Sequence, residues 1–224
     1  MVTRSSFQVG GEITYASWRR RAGVSGGAVY AGWDPTTAKS ITLSNNNRAM
    51  TALASGNAEQ GATTSLTAAK TAGKWYFEFE ATAYPSGGTI GCGICTTSST
   101  IAGFSNNGTT GIGLIGFPGG QIWSNGAVPG TLGAVTINTW VGLAMDLDNR
   151  TAWFRPSPAA VWNGSGSANP ATNIGGFTIP AGSMVAIGLF TGASMGAGSA
   201  SLVNFGGVAF AGVVPAGFTP GWTL

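Results

Sequence analysis

The chain contains no histidine. The commonest general base and the commonest metal-ligating side chain are therefore missing. Charged residues are scarce as well, at 8% of the 224 residues, where a typical soluble domain carries about 25%. The seven carboxylates are spread thinly and make no calcium-loop pattern. Neither a metal nor a cofactor is expected. Only two cysteines occur, in the stretch GCGIC. With no second C-x-x-C and no histidine, a zinc site lacks ligands. In a strand Cys92 and Cys95 point to opposite faces, which leaves two structural free thiols. No apolar run reaches the roughly 18 residues of a membrane span. The opening MVTRSSFQVGGE has no apolar core of a secretory signal, so none is expected.

What is present is glycine, 38 residues of it, with 43% hydrophobic and 10% aromatic residues. That composition is not disordered; it reads as many short strands joined by tight turns. Residues 1–30 are set apart. They hold scattered aromatics without a clean period and the run WRRRAG. Residues 1–50 carry six cations against two carboxylates, a balance of +4, whereas the rest carries four against five. We read residues 1–30 as a basic N-terminal arm and residues 31–224 as one domain. Within the domain, strands are expected near 39–43, 48–54, 74–82, 88–95, 111–117, 120–124, 140–147, 150–155, 184–190 and 199–205. Long polar loops fall near 96–110, 125–138 and 156–177. The stretch DLDNRTAW is the best hairpin signal, with Asp148 and Asn149 in the turn. No helical period and no internal repeat is present.

The stretch GKWYFEFEA raises the question of catalysis. Trp75, Phe77 and Phe79 alternate with Tyr76, Glu78 and Glu80. This is the pattern of a half-buried strand with aromatics inward and acids toward water. Asp146 and Asp148 form a second i, i+2 pair. A retaining glycosidase needs two carboxyls about 5 Å apart, and i, i+2 strand spacing comes near that, so polysaccharide cleavage is the alternative to a structural reading. Two other motifs are set aside. GIGLIG, residues 111–116, matches the dinucleotide fingerprint, but FPGGQIW follows and no helix begins. GASMG, residues 192–196, matches a nucleophile elbow, but its serine has no histidine and a strand follows.

Several stretches in order resemble the SPRY (B30.2-like) family. GKWYFEFEA resembles its opening strand and TIGCGI the next. IWSNG, WVGLAMDLDNRTAWF, SLVNFGG and VVPAGFTPGW are similar to later family strands, hairpin and tail. VWNGSGSANPATNIGGF, residues 161–177, and the ending VPAGFTPGW are similar to segments of SPRY-like modules in bacteriophage virion and tail proteins. The resemblance spans residues 30–222. It implies an all-β fold, a two-sheet antiparallel β-sandwich of the concanavalin-like jelly-roll type. Core candidates are Trp75, Phe77, Phe79, Ile90, Ile94, Leu114, Trp140, Leu143, Trp153, Ile187, Leu189 and Phe205.

The resemblance further implies a non-enzymatic structural or binding part of a phage particle: a tail fibre, tail tip or head-decoration subunit. Such a protein is assembled in the host cytoplasm and released by lysis. The arm, through Trp18, Arg19, Arg20 and Arg21, is expected to dock on other virion proteins. The loops are expected to meet a host receptor or surface glycan, with Tyr84, Phe104, Trp123 and Trp162 as contact residues. Sister subunits in a homo-oligomer such as a trimer are expected partners. Nucleic acid, through the arginine run, is the least favoured partner given the small net charge of +3.

Overall fold

In the computed structural model the described residues are 28–56, 60–85, 87–102, 104, 110–157 and 161–224. The docking candidates Trp18, Arg19, Arg20 and Arg21 lie outside them. Fourteen strands occur among the described residues: β1 (Ile41–Ser44), β2 (Ala49–Ala52), β3 (Gln60–Thr63), β4 (Lys74–Ala83), β5 (Thr89–Thr96), β6 (Gly111–Phe117), β7 (Gln121–Ser124), β8 (Ala127–Thr131), β9 (Val141–Asp146), β10 (Thr151–Pro156), β11 (Phe177–Thr178), β12 (Met184–Thr191), β13 (Ala200–Asn204) and β14 (Thr219–Pro220). They form two sheets. One runs β1-β2-β13-β4-β9-β10-β11, with β14 beside β4; the other runs β3-β12-β5-β6-β7-β8. All pairings between these strands are antiparallel except β14 on β4. The expected antiparallel sandwich is the fold observed.

Alternation places the core. Phe77 and Phe79 of β4, Leu143 and Met145 of β9, and Phe154 of β10 meet Ile90, Cys92 and Ile94 of β5, Leu114 of β6 and Phe190 of β12 in one buried cluster. Phe77 lies 5.4 Å from Phe205 and 5.6 Å from Trp222, ring centre to ring centre. Such tilted and edge-on pairs add to the free energy of burial. Strand β12 reads MVAIGLF because both its faces are covered. Met184, Ala186 and Phe190 enter the central cluster, while Val185, Ile187 and Leu189 enter a second one on the outside of the six-stranded sheet. Ile187 and Leu189 are thus buried on the outward face. Trp75 and Trp140 are half-buried rather than core.

Two expectations need correction. The polar loop expected at 125–138 contains β8, an edge strand whose AVPGT sequence hides it, since proline and glycine are depleted in strands. More consequentially, the expected wet face of β4 is dry. Tyr76 and Glu78 have no exposed surface and Glu80 is 9% exposed. Residues 210–218 fold back over that face, and with residues 161–176 they build a third apolar cluster with Tyr76, Ala144, Trp153, Trp162, Ala168 and Phe218.

Candidate binding groove and the buried carboxylates

The carboxylates considered for catalysis hold backbone. Glu78 accepts a hydrogen bond from the Tyr76 hydroxyl at 2.7 Å through Oε1. It also accepts the amide N–H of Gly212 at 2.7 Å on Oε1 and that of Ala211 at 2.8 Å on Oε2. Charge-assisted bonds of this kind are the strong ones. A Cβ at position 212 would lie 2.4 Å from Ser157 Oγ and 2.9 Å from Tyr76 Oη, so the close approach requires glycine. Glu78 therefore ties the C-terminal segment to the sheet. Burial, and then the bond to Glu78, raise the Tyr76 hydroxyl well above its ordinary pKa. Burial, with the Glu78 charge next, raises the Glu80 carboxyl above its own.

Asp146 closes a hairpin. Its Oδ1 accepts the amides of Asp148 at 3.1 Å and Asn149 at 3.0 Å, its Oδ2 accepts the Asn149 side chain at 2.8 Å, and Lys74 pairs with it at 3.0 Å. Burial pushes this carboxyl up, but the Asn149 side-chain and backbone bonds and Lys74 outweigh that and hold it below its ordinary range. Asp148 points elsewhere, accepting the Gly73 amide at 2.8 Å. The hairpin turn spans residues 147–150, with Arg150 at φ 54°. Both cysteines are buried free thiols. Burial raises both, Cys95 to about 12, so neither is a thiolate at neutral pH. Among the described residues no three His, Cys, Asp or Glu gather as a metal site, and no helix is long and apolar enough to cross a membrane.

The four aromatics expected at a receptor surface are engaged in packing. Phe104 has no exposed surface and lies in the second cluster with Ile101, Val185, Ile187 and Leu189. Its ring lies over strand β6, where a Cβ at Gly111 would come within 2.5 Å of it and one at Gly113 within 2.9 Å. Gly111 and Gly113 of GIGLIG are thus the bed for this ring, which accounts for the false fingerprint. Trp123 faces Gly113 across β6 and β7 and packs, half-buried, on the same cluster. Trp162 is 9% exposed, with the Arg155 guanidinium 4.3 Å above its ring. Half-buried Tyr84 donates its hydroxyl to the Gly88 carbonyl at 2.6 Å and packs edge-on against Phe117.

The open site is elsewhere. A groove of about 550 Å³ lies on the outside of the six-stranded sheet, lined by residues 36–39, Thr63, Leu66, Thr97, Ser99, Thr100, Ile101 and Val185. Its size falls within the range of about 300–1,000 Å³ common for ligand pockets. The lining pairs hydroxyl groups with aliphatic side chains. Among the described residues its lining contains one cation, Lys39, and neither an aromatic ring nor a carboxylate. Sequence reasoning missed it, because Thr, Ser and Ala at these separations carry no motif. Residues 33–39 also occupy the edge of β3: Lys39 and Gly61 exchange amide-to-carbonyl bonds at 2.9 and 3.0 Å, and the Thr37 hydroxyl accepts the Thr63 amide at 3.0 Å. The groove offers side chains to a ligand rather than an open strand edge.

Two antiparallel sheets that do not close, with a further layer strapped on by a buried glutamate, define the class as a non-closed β-sandwich. Within that class the fold is SPRY-like. The chain is similar to the SPRY domain of human HERC1, with a TM-score of 0.54 and 17% identity, over 77% of this chain and 96% of that one. It is similar to the TRIM65 PSpry domain at a TM-score of 0.54 and 15% identity, over 78% of this chain and 91% of that one. No protein-family model and no curated protein matches the sequence.

Proposed function

We propose that the chain is a non-catalytic binding and structural component of a bacteriophage particle. An SPRY-like sandwich works by contact through its surface, and the phage-type stretches at residues 161–177 and 214–222 support the virion setting. The observation that carries the non-catalytic part is the use of Glu78 and Asp146 as backbone acceptors. A general acid must give up its proton to substrate, and a carboxylate saturated by donors inside a sealed layer is placed to do neither that nor nucleophilic attack. The arm supplies docking on other virion proteins through Trp18, Arg19, Arg20 and Arg21, and the sandwich supplies receptor or sister-subunit contact.

The test is location. Antibody labelling of intact particles should place the protein on the head, neck or tail, and replacing Arg19, Arg20 and Arg21 by Ala should abolish incorporation. Absence from purified particles overturns the reading. Release of reducing ends from host surface glycan by the purified protein, lost on Glu78→Gln, would establish the glycosidase alternative instead.

A further inference from the structure

We propose that strand β1 is a pairing edge for a second copy of this chain, joined antiparallel to the same strand about a two-fold axis through Thr42. This names the partner in the sister-subunit contact of the proposed function. It is tested in the purified protein, so absence from particles would overturn the virion setting and leave the pairing standing.

A sheet edge offers unpaired N–H and C=O groups to any strand that reaches it, and proteins guard against this with proline, charge, cover or shortness. The other edges of this sandwich are guarded. On β3, Lys39 and Gly61 exchange amide-to-carbonyl bonds, and the Asp34 amide donates to the Thr63 carbonyl at 2.8 Å. β8 is interrupted by Pro129, which has no N–H. β11 is two residues long. Beside it the Asn163 side chain caps β10, accepting the Phe154 amide at 2.8 Å and donating to the Ala152 carbonyl at 3.3 Å. β1 has none of these devices. It reads Ile-Thr-Leu-Ser, without proline, glycine or charge. Among the described residues nothing pairs with its far side.

The direction of its backbone groups fixes the register. The Ser40 carbonyl accepts the Leu53 amide at 3.0 Å, and Thr42 lies opposite Thr51, so residues 40 and 42 turn their groups to β2. The facing direction alternates along an antiparallel ladder. The N–H and C=O of Ile41 and of Leu43 therefore point away from β2. Setting Thr42 opposite Thr42 of a second copy brings Ile41 opposite Leu43 on both sides of the axis. Each Ile41 N–H then meets a Leu43 carbonyl, and each Leu43 N–H meets an Ile41 carbonyl. Shifted axes do worse. One through Leu43 sets Ile41 against Asn45, whose carbonyl already accepts from the Arg48 amide at 3.2 Å. One through Ile41 sets Leu43 against Lys39, already bonded to Gly61.

The side chains agree with the central register. Ile41 is buried in the central cluster and half-buried Leu43 packs against it, so pairing the two carries apolar contact across the axis. Thr42 and Ser44 are exposed on the opposite face, where a threonine pair is favourable. With no charge in β1, the strands set no like charges opposite each other. A strand of four residues covers much less than the roughly 1,200–2,000 Å² of a stable interface. The pairing is therefore expected to be weak, with half-association at about 100 μM.

The experiment is sedimentation equilibrium on the purified full-length chain from about 10 μM to about 1 mM, where a monomer–dimer equilibrium is expected. Thr42→Lys and Thr42→Glu each place like charges across the axis, and each should weaken pairing about tenfold at low salt. An equimolar mixture of the two should pair at least as readily as the original. Leu43→Pro removes an outward N–H without touching a bond to β2 and should abolish pairing. Far-UV circular dichroism of the Thr42 variants should match the original. A further measurement needs no variant: the Ile41 and Leu43 amides should exchange more slowly as concentration rises. A chain that stays monomeric at the highest concentration overturns the proposal, and so does protection at Ile41 and Leu43 that ignores concentration. Dimers indifferent to the Thr42 charges place the contact elsewhere and overturn it too. Trimers do the same, because a two-fold edge builds only pairs.

Discussion

The two outer faces of the sandwich are covered in opposite ways. On the eight-stranded sheet the outward positions are large and polar or aromatic: Tyr76, Glu78, Asp146 and Trp153. Chain from far along the sequence is drawn over them and fastened by hydrogen bonds. On the six-stranded sheet the outward positions of β5 and β6 include Gly91, Gly93, Gly111 and Gly113, and the Phe104 ring comes down onto Gly111 and Gly113. The first face is sealed because a buried carboxylate must keep its donors. The second is covered largely by apolar contact, and it stays open at its margin, where the groove lies.

The sharpest way to break this contrast is Glu78→Ala. It removes three hydrogen bonds and leaves the Ala211 and Gly212 N–H groups without their acceptor. Bonds to charged groups contribute about 1.5–3 kcal/mol each, and because they are not additive we expect a loss of about 4 kcal/mol, read from urea unfolding. Phe104→Ala on the other face should cost about 3 kcal/mol by emptying a packed site. As a packing residue it should lower the unfolding midpoint; loss of receptor binding with unchanged stability would restore the contact role expected from sequence. Gly113→Val should cost about 2 kcal/mol by overpacking the ring, with exchange rising over residues 98–104 and not over β9.

The pH response separates two carboxylates of the first face. Asp146 has a folded pKa below its unfolded value, so it contributes stability that is present above about pH 3.9 and lost as pH falls through the folded value. Glu80 has the opposite sign. Its folded pKa is raised, so stability is gained as pH falls through that folded value toward the unfolded one. Glu80→Gln should therefore deepen the net acid loss, and Lys74→Ala should move the Asp146 step to higher pH at a cost of about 1 kcal/mol. Thermal melts from pH 7 to pH 2.5 check both. Smallest of all, Leu66→Ser at the groove rim should leave global stability within about 0.5 kcal/mol.

The strands themselves were legible because alternation is a local signal: KWYFEFEA and WVGLAMDL show their inward faces residue by residue. The outward face was not. Whether Glu78 meets water depends on Ala211 and Gly212, 133 and 134 residues away, and no periodicity within β4 reports a cover of that kind. Phe104 shows the same limit. Its neighbourhood reads as a polar loop, while the cue to its burial, Gly111 and Gly113 of β6, resembles a phosphate-binding motif. β3 and β8 escaped notice because QGAT and AVPGT lack the branched and aromatic residues that mark strands. The groove gathers residues from four separate segments, none distinctive alone.

The central claim is that Glu78 is a clasp. Amide exchange at Ala211 and Gly212 in Glu78→Gln tests it most directly. A clasp predicts that these two amides, slow in the native protein, become fast while β9 amides keep most of their protection. Slow exchange at both, in a protein as stable as the original, would mean that the carboxylate is not needed to hold the strap and is kept for chemistry.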